Sequence, residues 1–127
     1  MENTTLESKK QKKALIVEDE ADMCLLLNIM LNGDDVELDH VKNIKAALEY
    51  LEKEKPSVVL LDNKLPDGFG VDLISTIKQH YPSIKIIMMS GYDASVEDVA
   101  LENGADIFLQ KPFTKDKLYQ SMMGLLN

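Results

Sequence analysis

Two hydrophobic rhythms take turns along this chain. Short apolar runs, continuous at Ala14–Val17 and Val58–Leu61 and broken only by Lys85 in Ile84–Met89, suit strands buried on both faces. Between them, apolar residues recur at helical spacing. Met23, Leu26, Leu27 and Met30 fall at i, i+3, i+4 and i+7, which predicts a helix that Asn32-Gly33 stops. Leu25 and Ile29 widen its apolar face; the simplest expectation is contact with a neighbouring helix, and the sharper one is a dimer face. Val36–Val41 mostly alternates, as an edge strand with one wet face does. Ile44, Ala47, Leu48 and Leu51 mark a second helix, with Asn43 placed to cap it. Leu73, Ile74 and Ile77 mark a third, closed near His80-Tyr81-Pro82, and Val96, Val99 and Ala100 a fourth, stopped by Asn103-Gly104. Asp106–Leu109 reads as a short strand, and Thr114 can cap a last helix carrying Leu118, Met122 and Leu125.

Strand and helix therefore alternate five times with short connections. That pattern predicts an α/β fold: a mainly parallel sheet with helices on both faces, joined by right-handed crossovers. Residues 1–12 have no hydrophobic period and are expected to form a flexible leader, with one domain over 13–127. Composition agrees with a globular domain: 127 residues, 45% hydrophobic and 28% charged. No apolar run approaches the roughly 20 residues that span a bilayer, so no membrane insertion is expected. The lone Cys24 excludes an internal disulfide and fits a reducing cytoplasm, and nothing in the first residues suggests export.

Charge narrows the function. The chain carries 14 basic and 22 acidic residues, net −8, and no arginine. Residues 1–13 hold Lys9, Lys10, Lys12 and Lys13 against Glu2 and Glu7, leaving the body strongly acidic. An acidic, arginine-free body argues against direct nucleic-acid binding.

The residues that could do chemistry follow strands. Glu18 and Asp19 follow the first, Asp62 ends the third, Ser90 ends the fourth and Lys111 follows the fifth. In a parallel sheet these ends share one edge, where open α/β sheets bind ligands. The cluster would hold three acids against one ammonium. Like charges about 4 Å apart repel by about 4 kcal/mol at an effective dielectric of about 20. Such a site either raises a carboxyl pKa or takes up a cation, and Mg²⁺ suits carboxylate oxygens. Asp62, already ionised, can act as a nucleophile toward a phosphoryl group, with Lys111 and Ser90 meeting its oxygens. Pro66-Asp67-Gly68 marks the turn after it.

With these residues in this order, the chain resembles a response-regulator receiver domain of two-component signalling, from about Lys13 to Leu126. The resemblance implies a doubly wound, CheY-like sheet of five parallel strands in the order 2-1-3-4-5 with five helices. It places the phosphoacceptor on Asp62, the family's lysine on Lys111, and the switch pair on Ser90 and Phe108. It implies Mg²⁺ held by Asp19, Asp62 and the Lys64 carbonyl, with Glu18 acting through water, and a cis Lys111–Pro112 peptide. Lys64 and Tyr92 fall where such domains tune water's access to the acyl phosphate, and Tyr92 is expected to shield it. Two departures stand out: Glu18 where an aspartate is commoner, and Phe108 where a tyrosine is.

The expected function is a phosphoacceptor switch in a phosphorelay. A sensor histidine kinase or a histidine phosphotransfer protein donates the phosphoryl group. A downstream protein then reads the face made by the fourth helix, fifth strand and fifth helix, with the chain a monomer or a phosphorylation-dependent dimer. In this reading the chain is no conventional enzyme but catalyses its own phosphorylation and dephosphorylation. One alternative is a receiver-like protein-binding scaffold without phosphate turnover. Another is a phosphohydrolase or flavin binder, against which Lys64 and Glu18-Asp19-Glu20 argue. Glu20 is expected to be a helix-start charge, His40 and His80 solvent-exposed, and Met88, Met89, Met122 and Met123 core or interface filler. Ser90 could also cap a helix.

Overall fold

The computed structural model of the chain describes residues 12–31, 36–91 and 93–126. Most of the leader, the Asn32-Gly33 stop and Tyr92 lie outside the described residues. The elements are β1 (Lys12–Val17), α1 (Ala21–Leu31), β2 (Val36–Val41), α2 (Ile44–Lys53), β3 (Val58–Asp62), α3 (Val71–His80), β4 (Lys85–Ser90), α4 (Ala94–Asn103), β5 (Ile107–Gln110) and α5 (Lys115–Leu126). The five strands form one parallel sheet in the order β2-β1-β3-β4-β5. A small antiparallel ribbon, Lys64–Leu65 against Gly68–Phe69, follows β3 and was not foreseen.

The continuous apolar runs are strands covered on both faces. Leu15, Val17, Val59, Leu61, Ile86 and Met88 point to one core with residues of α2, α3 and α4. Their neighbours Ala14, Ile16, Val58, Leu60, Ile87 and Met89 point to the other core, with residues of α1 and α5. Side chains alternate because the strand period is two. Each fully buried Leu, Ile or Met contributes about 1.5–3 kcal/mol. β2 is an edge strand, and its Glu37 and His40 are exposed.

Capping follows local chemistry. The Ala46 N–H donates to Asn43 Oδ1 at 2.7 Å, and the Lys117 N–H to Thr114 Oγ1 at 3.1 Å. At α4 the cap is Asp93, which accepts from the Ser95 N–H at 3.0 Å, so Ser90 does not fill that role. Gly104, at φ 118°, closes α4 in the left-handed conformation.

One expectation fails. Among the described residues, Leu25 and Ile29 join neither hydrophobic core and are 61% and 63% exposed. The inward face of α1 is Cys24, Leu27 and Leu31, which meets α5 and the sheet. Helical spacing alone could not separate the two faces, because α1 is apolar on both. Leu48 and Val99 likewise sit at the rim of their helices' stripes.

The start of α3 is pressed against the end of β3. A Cβ built on Gly70 would overlap the Asp62 carbonyl oxygen. Gly70→Ala is therefore expected to destabilise the fold by about 1–3 kcal/mol, read as a lower urea midpoint. An unchanged midpoint would show that this approach can relax freely.

Candidate functional site

Strand periodicity delivers the site. Ile16, Leu60 and Leu109 all face the α1/α5 core. Two residues further on, at the C-terminal edge of the sheet, stand Glu18, Asp62 and Lys111, in phase with them. The three side chains meet. Lys111 Nζ lies 2.6 Å from Asp62 Oδ1 and 3.4 Å from Glu18 Oε1. Lys111 is fixed from behind, because its backbone N–H donates to the Ser90 carbonyl at 2.7 Å. The Lys111–Pro112 peptide is cis.

Burial separates this cluster from ordinary surface charge. Among the described residues, the buried polar or charged side chains are Glu18, Asp62 and Asn63, at 1%, 6% and 6% exposure. All three lie at this edge. Burying carboxylates is costly unless they are paired and hydrogen-bonded. Here the partners are Lys111 and, for Glu18, the Glu20 N–H at 3.1 Å from Oε2. No buried side-chain nitrogen or oxygen among the described residues lacks a partner.

The pairing is not complete in charge. Burial pushes the Glu18 carboxyl above its ordinary value; the Glu20 N–H and Lys111 pull it down, Asp62 pushes it up, and burial wins. Burial alone would lower Lys111, but its hydrogen bond to Asp62 and the two acids carry it upward. Asp19 stands beside them, exposed. One carboxylate oxygen from each of Glu18, Asp19 and Asp62 lies within 4.8 Å of the others. Three hard oxygen donors against one ammonium form a donor set that fits a divalent cation such as Mg²⁺.

Above the cluster opens a cleft of about 400 Å³, lined by Asp19, Asp62, Lys64, Ser90 and Lys111 among others. Ser90 closes one side of it. Phe108 does not line it; the ring is half-buried against the α2/α3/α4 core, on the same face of the sheet as Ser90. Glu20 is exposed and directly precedes α1, outside the close carboxylate trio. His40 and His80 are exposed and belong to neither the carboxylate trio nor the cleft lining. Met88, Met89 and Met122 are core, and Met123 is half-buried.

Two residues at this edge escaped the sequence reading: Asn63 and Gly70. A signal for Gly70 was present, since a glycine directly before a helix that follows the acid invites close backbone approach. Asn63 gave no such signal.

The raised Glu18 value has a consequence for stability. A carboxyl whose folded pKa is raised favours the fold while protonated, below its unfolded value near 4.5, and loses that contribution as pH rises through the folded value. In metal-free buffer, Glu18→Gln should therefore gain stability relative to wild type from pH 4 to pH 7, measured by urea unfolding. A gap that does not change over this range would contradict the assignment.

Comparison with known proteins agrees with this geometry. A family model described as the response regulator receiver domain matches residues 14–123. The response regulator protein PilR of Pseudomonas aeruginosa is 38% identical over 111 residues, which cover 85% of this chain but only 24% of PilR. Sporulation initiation phosphotransferase F of Bacillus subtilis is 32% identical over 108 residues, covering 84% of this chain and 87% of that protein. A crystal structure of a CheY-like response regulator receiver domain protein from Methanospirillum hungatei superposes with a TM-score of 0.86 at 27% identity, covering 91% of this chain and 94% of that one. With a match over most of its length and a shared fold, the chain belongs to the response-regulator receiver family.

Proposed function

We propose that the chain is a phosphoacceptor switch in which Asp62 takes a phosphoryl group from a phosphohistidine partner. The observation that carries this reading is the buried Asp62 carboxylate held at 2.6 Å by Lys111 beneath an open cleft. A carboxylate paired in this way and lining the cleft is oriented toward an incoming group. An Asp62 oxygen forms the new P–O bond as the P–N bond of the donor imidazole breaks. The imidazole leaves with the electron pair and takes a proton from solvent. Lys111 and the Ser90 hydroxyl meet the oxygens of the transferred group.

Asp19, Asp62 and the Lys64 carbonyl would hold Mg²⁺ directly, with Glu18 acting through water. Bound there, Mg²⁺ supplies neutralising charge for the phosphoryl oxygens. The charge balance among Glu18, Asp19, Asp62 and Lys111 supports that role. The same pocket catalyses loss of the phosphoryl group to water, at a pace set by Lys64 and Tyr92.

Phosphorylation draws in Ser90 and, on the same sheet face, Phe108. The altered face made by α4, β5 and α5 meets a downstream protein. A cleft of about 440 Å³ there, with Phe108, Phe113, Glu97 and Lys117 in its walls, supports a docking role. The donor is a sensor histidine kinase or a histidine phosphotransfer protein.

Incubation with a small-molecule phosphodonor and Mg²⁺ should add the mass of one phosphoryl group. Asp62→Asn, or wild type in EDTA, should add none. Absence of any mass gain in wild type would favour a protein-binding scaffold instead. Tyr92→Ala should shorten the lifetime of the phosphorylated form, followed by intact mass over time; unchanged decay would remove Tyr92 from the account.

A further inference from the structure

Helix α3 starts without a cap of its own, since Gly70 stands at its N-cap. Its acceptor comes from Asn63, the residue directly after the phosphoacceptor. The Val71 N–H donates to Asn63 Oδ1 at 3.0 Å, and the Gly70 N–H donates to the Asn63 carbonyl at 2.7 Å. Further along the same loop, Asp67 does the equivalent for α2. Its two carboxylate oxygens accept the Ile44 and Lys45 N–H groups, at 2.9 and 3.0 Å. Those N–H groups hold the Asp67 carboxyl below its ordinary value.

Ordinary caps in this chain come from the residue just before the helix or close to it, as Asn43, Asp93 and Thr114 show. Asn63 and Asp67 are different. They reach across 8 and 23 residues and join separate elements. At α2 the remote cap is not needed for want of a local one, because Asn43 already accepts from Ala46. What the two remote caps share is the loop that carries them. Residues 63–70 begin at the phosphoacceptor, carry Lys64 into the cleft wall and end at Gly70, packed on the Asp62 carbonyl.

We propose that Asn63 and Asp67 are positioning residues for the phosphoacceptor pocket. They brace the 63–70 loop between the starts of α3 and α2, and so fix the Lys64 carbonyl and the Asp62 carboxylate relative to each other. Neither side chain bonds to the Asp62 carboxylate or to Lys111; both act through the backbone. Cation sites depend on such outer supports, because oxygen donors that drift apart bind a small divalent ion poorly. The consequence for Mg²⁺ rests on the phosphoacceptor reading.

The test compares wild type with Asn63→Leu, Asp67→Ala and Asp67→Asn, each as the full chain. Mg²⁺ affinity is measured by calorimetry and thermal stability in EDTA. Asn63→Leu and Asp67→Ala should bind Mg²⁺ about tenfold more weakly. Asp67→Asn, which keeps one acceptor oxygen, should recover part of that loss. If Mg²⁺ affinity stays at the wild-type value while thermal stability falls, the two residues are helix caps only and the proposal is overturned. Should Asn63→Leu fail to fold, the exposed Asp67 pair decides alone. Phosphodonor uptake in the same samples separates the two ideas. Wild type that binds Mg²⁺ yet takes up no phosphoryl group defeats the phosphoacceptor reading and leaves the affinities to judge the brace; wild type that binds no Mg²⁺ overturns both.

Discussion

The Lys111 ammonium is what allows two buried carboxylates to stand side by side. It touches Asp62 at 2.6 Å and Glu18 at 3.4 Å, both carboxylates being buried. Removing one partner of this part-buried pair is destabilising, because a buried charge is left without a partner. One ammonium cannot satisfy two acids, and Asp19 adds a third. The residual negative charge is the physical reason that the pocket suits a divalent cation. Stability and function therefore share one electrostatic arrangement.

That arrangement depends on the sheet. Three parallel strands end in phase, so their next inward-facing positions converge without any local contact between them in sequence. The cores above and below hold the strands in register, and the Ser90–Lys111 backbone bond sets how far β5 extends beyond β4. Ser90 and Phe108 fall on the opposite face in phase with each other. A hydroxyl thus lines the cleft while a ring on the same sheet face packs on the core.

Much of this was legible in the chain. Continuous apolar runs foretold the buried strands, and the convergence of Glu18, Asp19, Asp62 and Lys111 followed from their places after strands, because residue type and strand period carry that information locally. The helix caps at Asn43 and Thr114 were equally local. What escaped depends on distance. The exposure of Leu25 and Ile29 is set by where α5 lies, which periodicity does not encode. Asn63 looked like an ordinary polar residue after an acid; its role appears only when the uncapped start of α3 is brought beside it. Asp67 read as a turn residue, and its carboxylate serves a helix more than twenty positions earlier in the chain. The order of strands came with the family resemblance, since alternation of strands and helices is compatible with several orders.

The central claim is that one side chain, Asp62, holds the phosphoryl group. Borohydride reduction of the phosphorylated protein followed by peptide sequencing tests it most directly, because the reagent traps an acyl phosphate at its own position. The account predicts modification at position 62 alone. Reduction at another carboxylate, or no reduction at all in protein that has gained the mass of a phosphoryl group, would contradict it.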